Sequence, residues 1–217
     1  MACTRRMTGV GSALIAAVLM AGLHAGPAHA ATTKPRSCKP PGEVVAATGR
    51  VVVSTADDEY FYCRKRSRMK PRRFAGPTSR SDRVVVGLAV NGWMIGWTEE
   101  ACPKVLAGCS GVTRVLSART GRRRVDVSYA GATGHRSLAI TANGDAVWIR
   151  TSAFNEQEGP SQVVKISPGR PLKILDPGPT IDGGIATTTP VGLPPVGAGE
   201  VFWRSGGQIH SAPIGSR

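Results

Sequence analysis

An Asn-Gly pair occurs twice in this chain, 52 residues apart, each time between β-prone runs and ahead of a tryptophan. In the first copy Asp82 to Val90 leads into Asn91-Gly92 and then Trp93-Met94-Ile95-Gly96-Trp97. In the second, Arg136 to Ala142 leads into Asn143-Gly144 and then Asp145-Ala146-Val147-Trp148-Ile149. Asn-Gly between alternating runs is the strongest short hairpin signal, because both residues tolerate positive φ. A hairpin that recurs at this spacing restricts the chain to an antiparallel, repeat-built β architecture. No apolar period of 3.6 residues is sustained between Gly42 and Arg217 to compete with it. The 27 Gly and 16 Pro among 217 residues agree, since they supply the turns such a fold consumes.

The match continues downstream of each tryptophan. Val112 to Ser117 enters the turn Arg119-Thr120-Gly121-Arg122 and then Val125 to Tyr129. Val163 to Ser167 enters Pro168-Gly169-Arg170 and then Pro171 to Leu175. Each unit therefore reads as a four-stranded meander of propeller-blade size. Upstream, Glu43 to Ala47, Val51 to Ser54, Tyr60 to Cys63 and Arg73-Phe74 give a weaker copy, with Asp57-Asp58-Glu59 as a hairpin turn. Downstream, Gly184 to Thr189, Glu200 to Arg204 and Gln208 to Ala212 supply three strands, and Ala31 to Ser37 is the one unassigned segment left to complete that unit. The expected fold is all-β: about four four-stranded antiparallel meander units forming a small or incomplete β-propeller, with a β-sandwich or open sheet of some fifteen strands without radial closure as the alternative. The units fall at about 43–76, 82–130, 136–176 and 184–217 of a single domain over 43–217, and 31–42 forms an N-terminal segment. Trp97, Trp148 and Trp203 sit near one repeat position and are expected in the core, with Trp93 facing outward.

The Gly-x-x-x-Trp strands (Gly144 to Trp148, Gly199 to Trp203), followed in the first case by a run ending in Gly-Arg, resemble those of TolB-type and WD-repeat-like propeller proteins. More narrowly, the chain resembles exported bacterial propeller-like proteins of unknown function, in which a Tyr-x-x-Cys strand opens the array, here Tyr60-Phe61-Tyr62-Cys63. The resemblance spans roughly Val44 to Ile214. It implies a fold and a binding role, and it carries over no catalytic residue.

Residues 1–30 read as a signal peptide: Arg5 and Arg6 form the basic region, Val10 to Leu23 the apolar one, and Ala28-His29-Ala30 the cleavage site. Thr8 and Gly9 argue against a twin-arginine signal, so the expectation is bacterial Sec-type export to the outside, with no transmembrane segment in the mature chain. Processing leaves Cys38, Cys63, Cys102 and Cys109. An even number in an exported chain reads as disulfides. The short, Pro- and Gly-containing span from Cys102 to Cys109 suits a loop-closing bridge, which leaves Cys38 with Cys63. No C-x-x-C spacing favours a metal.

The formal charge is +14, from 28 Lys and Arg against 14 Asp and Glu, and it is unevenly placed. Residues 31–73 carry a net +7 and 74–124 a net +5, whereas 125–217 are neutral. Two turns concentrate the surplus: Arg64, Lys65, Arg66, Arg68, Lys70, Arg72 and Arg73, then Arg119, Arg122, Arg123 and Arg124. Outside a membrane such runs attract phosphate-bearing wall polymers, anionic headgroups or acidic glycans. These eleven side chains are the candidate anion-binding patch, at matching unit positions that would share one face. The expected function is a secreted binding or scaffold module that contacts anionic cell-surface polymers or a protein partner through this basic face. The alternative is a small exported hydrolase with its site on a propeller face, drawing on His135 or His210. No nucleophile motif, phosphate-cradling loop, dinucleotide fingerprint or nucleic-acid motif appears, so no catalytic residue, cofactor or metal ligand is assigned.

Overall fold

A computed structural model describes residues 38–77, 83–101, 110–130, 132–154, 157–178, 181, 185 and 199–215; for 130, 132–136, 152–154 and 157–160 it describes the backbone alone. The described residues are built of strands, without a helix long and apolar enough to cross a membrane. Sheet 1 is β1 (Glu43–Ala47), β2 (Val51–Ala56), β3 (Glu59–Arg64) and β4 (Arg72–Ala75), paired in chain order. Sheet 2 follows with β5 (Val84–Asn91), β6 (Met94–Ala101), β7 (Ser110–Ser117) and β8 (Arg122–Ala130). Sheet 3 holds β9 (Ala132–Ile140), β10 (Ala146–Phe154), β11 (Gln157–Ile166) and β12 (Lys173–Asp176). A hairpin of β13 (Glu200–Ser205) and β14 (Gln208–Pro213) forms sheet 4, and every pairing is antiparallel.

The expected meanders are therefore present three times in full, and among the described residues the last unit pairs two strands. Its expected first strand, 184–189, and the candidate closing segment, 31–37, lie outside the described residues. One isolated bridge, Ile181 to Ser205, touches the outer side of β13.

Successive sheets meet face to face because strand alternation gives the middle ones two apolar faces. Val51, Val53 and Tyr62 of sheet 1 pack on Ile95, Trp97 and Leu116 of sheet 2. On the opposite pleat Val115 and Val125 pack on Ile140, Trp148 and Val164 of sheet 3. Val147, Ile149 and Val163 then turn the far face of sheet 3 toward Val201 and Trp203 of sheet 4. Trp97, Trp148 and Trp203 are all buried, as their repeat positions predict. Each such burial stabilises by roughly 2–3 kcal/mol over leaving the ring in water. Trp93 is a correction: it lies in the turn, half-buried against the first core cluster, with the Arg50 guanidinium 5.6 Å from its ring centre.

The two Asn-Gly pairs make different turns. Asn91 pairs with Met94 as the last residue of β5, so the loop is Gly92-Trp93, and only Gly92 has positive φ. Glycine at the first central position is what a type II′ turn requires. Asn91 stays in the strand and donates from Nδ2 to the Ile140 carbonyl at 3.0 Å, tying sheet 2 to sheet 3. Asn143-Gly144 sits instead inside a longer loop over 141–145, where the Thr141 hydroxyl oxygen accepts from the Asn143 and Asp145 amides. The two-residue turn with both φ positive appears at Asp57-Asp58 (51° and 61°) and at Gly206-Gly207 (59° and 78°).

Candidate functional site

The first basic run occupies the connection from β3 to β4. Lys65, Arg66, Arg68 and Lys70 are exposed there, and Arg66 adopts a left-handed φ of 58°. The Lys65 amide donates to the Arg50 carbonyl and the Met69 amide to the Ser67 hydroxyl, so the connection is anchored at both ends of its bend. Four charges so close are tolerable because each stays in water.

The second run lies at the β7–β8 turn, and the two meet. Arg64 donates from Nη1 to the Arg119 carbonyl at 3.1 Å, and its Nη2 touches the Met69 sulfur. The Arg72 guanidinium lies over Gly121, where a Cβ would come within 2.9 Å of Nη1. Glycine at this left-handed position (φ 73°) both closes the turn and leaves room for that arginine. Arg119, Arg122 and Arg123 are exposed beside it.

Not every predicted residue joins the cluster as a free charge. Arg73 is paired with Glu59 at 3.0 Å, and Arg123 with Asp126 at 2.7 Å. Arg124 is the extra residue of a bulge between the Arg123–Leu116 and Val125–Val115 pairs, and its Cβ and Cγ lie beside Gly144 of the next sheet. Lys65, Arg66, Arg68, Lys70, Arg119 and Arg122 form no ion pair with a carboxylate among the described residues.

Beside β4 of sheet 1 lies a cavity of 470 Å³ bordered by Arg73, Arg83, Arg114 and Arg123, with Glu99 at its wall. Glu99 is 4% exposed, and its charge is held by the Trp97 indole N–H (3.0 Å) and Arg114 (2.6 Å). Arg114 also reaches Asp126, 3.1 Å away and directly opposite it on β8. Arg83 and Arg114 were missing from the predicted patch. The signal for Arg114 was its register: a lone arginine in an apolar strand, facing Asp126 once the β7–β8 hairpin is drawn. Arg83 precedes β5 by one residue and carried no pattern of its own.

Cys38 and Cys63 form the expected disulfide, joining the segment before β1 to β3; Cys102 and Cys109 lie outside the described residues. Of the histidines, His135 is in β9, and His210 stacks on Trp203 with ring centres 5.8 Å apart. The Trp203 indole donates to Asp176 at 2.6 Å, and the Gly178 amide donates to the same carboxylate at 2.8 Å. Burial pushes the Asp176 pKa up. The bonds from Trp203 and Gly178, with His210 and Ser205 nearby, outweigh that and hold it below the ordinary carboxylate value. Ser205, His210 and Asp176 are thus gathered around an indole that ties the sheet 3 edge to sheet 4.

Comparison with protein-family models, curated proteins and solved structures finds no match for this chain.

Proposed function

We propose that this chain is an exported binding module of the propeller-like kind, which holds anionic cell-surface polymers against the basic face of its first two sheets. The observation that carries the reading is the meeting of the two arginine-rich turns, through Arg64 on the Arg119 carbonyl and Arg72 on Gly121. Residues from two units thereby form one continuous positive surface in place of two separate charged hairpins. Neutralising phosphates there releases condensed counterions, a gain that scales with the number of contacts and fades as salt rises. The propeller-like part is supported by the stacking of consecutive four-stranded meanders face to face, which is the order of blades. Export is supported by the sequence of residues 1–30 and by the disulfide.

The test is retention of the purified chain on phosphate-bearing wall polymer and on anionic vesicles at two salt concentrations. Binding at low salt that falls steeply at high salt is expected. A variant with Lys65, Arg66, Arg68 and Lys70 changed to Gln should flatten the log–log salt slope by about one for each phosphate contact removed. No retention at low salt, or retention indifferent to salt, would sink the proposal.

A further inference from the structure

The turn Ser167-Pro168-Gly169-Arg170, between β11 and β12, belongs to neither basic run, and it borders a cavity of 580 Å³. The Arg170 amide donates to the Ser167 carbonyl at 3.0 Å and Gly169 has a φ of 71°. Proline and glycine at the two central positions thus fix a type II turn, and with it the place where Arg170 emerges. Lys165 of β11 and Lys173 of β12 line the same cavity from positions directly opposite each other in register. Like charges set opposite each other in a strand pair are destabilising. No carboxylate among the described residues lines this cavity or pairs with Lys165, Arg170 or Lys173. Asp176, on the same strand as Lys173, is taken by the Trp203 indole and the Gly178 amide. Glu200 stands opposite Pro213 in register but off the cavity wall, and its buried Oε2 meets no hydrogen-bond partner.

We infer that this cavity binds a phosphate monoester with an apolar body, its phosphoryl group held by Lys165, Arg170 and Lys173. The inference goes beyond the basic-face reading and does not depend on it, since none of these three residues belongs to the two arginine-rich turns. Three cations exceed what the single charge of a carboxylate or a phosphodiester would balance. A monoester carries about −1.5 to −2 near neutral pH and offers three acceptor oxygens. Lys165 is half-buried, and its ammonium donates to the Pro213 carbonyl at 2.8 Å, which steadies it and leaves two N–H groups for a ligand. Arg170 is exposed and adds a planar fork that matches two oxygens of one phosphoryl group. A bound dianion turns the repulsion between the two lysines into two attractions. Leu172, Leu175 and Ala212, all half-buried, give the wall an apolar part for the rest of the molecule. The volume lies within the range of about 300–1,000 Å³ common to small-molecule sites.

Calorimetric titration of the purified chain with hexyl phosphate tests this, with inorganic phosphate, hexanoate and hexanol as probes of each half of the ligand. One saturable site per chain is expected for hexyl phosphate, and each of the other three should bind about tenfold more weakly or worse. Lys173→Gln should weaken hexyl phosphate about fivefold or more. The same change should raise the melting midpoint of the free chain by about 1–3 °C, because it removes the like-charge pair. A lysine that only supported the fold would not weaken binding while strengthening the chain. Arg170→Lys should keep more of the affinity than Arg170→Gln. The Gln variant of residues 65, 66, 68 and 70 should leave hexyl phosphate binding unchanged, and Lys165→Gln should leave polymer retention unchanged, so the two sites can fail separately. In the background of that turn variant, phosphatidylcholine vesicles with a minority of phosphatidic acid separate the sources. Retention that Lys173→Gln reduces places the phosphoryl group on a lipid, and no such dependence places it on a soluble ester. Absence of a saturable site for hexyl phosphate overturns the inference, as does a site that binds hexanoate equally well or that neither Lys173→Gln nor Arg170→Gln weakens.

Discussion

Gly111 and Tyr129 face each other across β7 and β8, and the tyrosine ring covers the glycine so closely that a Cβ there would overlap it. Gly111→Ala should therefore displace the ring and cost about 1–3 kcal/mol in denaturant melts. Gly96 is constrained from the neighbouring sheet, since a Cβ would stand 2.6 Å from the Ile140 methyl. At Asp176 the sign of the pH dependence follows from its lowered pKa. The stability it contributes is present above the ordinary carboxylate value and is lost as pH falls through the lowered one. Asp176→Asn should accordingly destabilise at neutral pH, and the gap between the two melting curves should close as pH drops below about 4. The buried tryptophans were legible from their shared repeat position. Arg114 was not, because its pairing with Glu99 and Asp126 appears only once the register of β6, β7 and β8 is drawn.

Turns show the same division at the level of elements. The four strands of sheet 1 and the turn at Asp57-Asp58 were readable, since apolar alternation and a polar pair between two runs leave few other registers. The Asn91-Gly92 turn was misplaced by one residue because the asparagine side chain finds a carbonyl on sheet 3, a contact with no local signature. Asp58 holds a φ of 61°, which a glycine adopts without penalty. Asp58→Gly should thus stabilise the chain by about 0.5–1 kcal/mol, read as a shift in the denaturation midpoint at constant slope. The same substitution keeps the β2–β3 register, so amide shifts along β2 and β3 should hardly move. Gly76 allows no such freedom: a Cβ there would press to 2.7 Å on the Asp58 carbonyl, which locks the end of β4 to this turn.

Among the described residues consecutive sheets pack on one another, and the Cys38–Cys63 bridge adds a covalent tie with a sequence separation of 25. Loop-entropy arguments put its removal at about 3.5 kcal/mol, so a Cys38→Ser, Cys63→Ser chain should unfold at correspondingly lower denaturant. Amide exchange should be slowest in β6, β7, β10 and β11, the central strands of sheets that are covered on both faces. The order of stacking has a further consequence for a chain that emerges progressively from a ribosome or a translocation pore. Each finished meander presents one bare apolar face, and the next segment to appear is the one that covers it. Assembly can then advance vectorially, with exposed hydrophobic surface never exceeding about one sheet, and the charged turns of the leading half are displayed before the neutral half has been made.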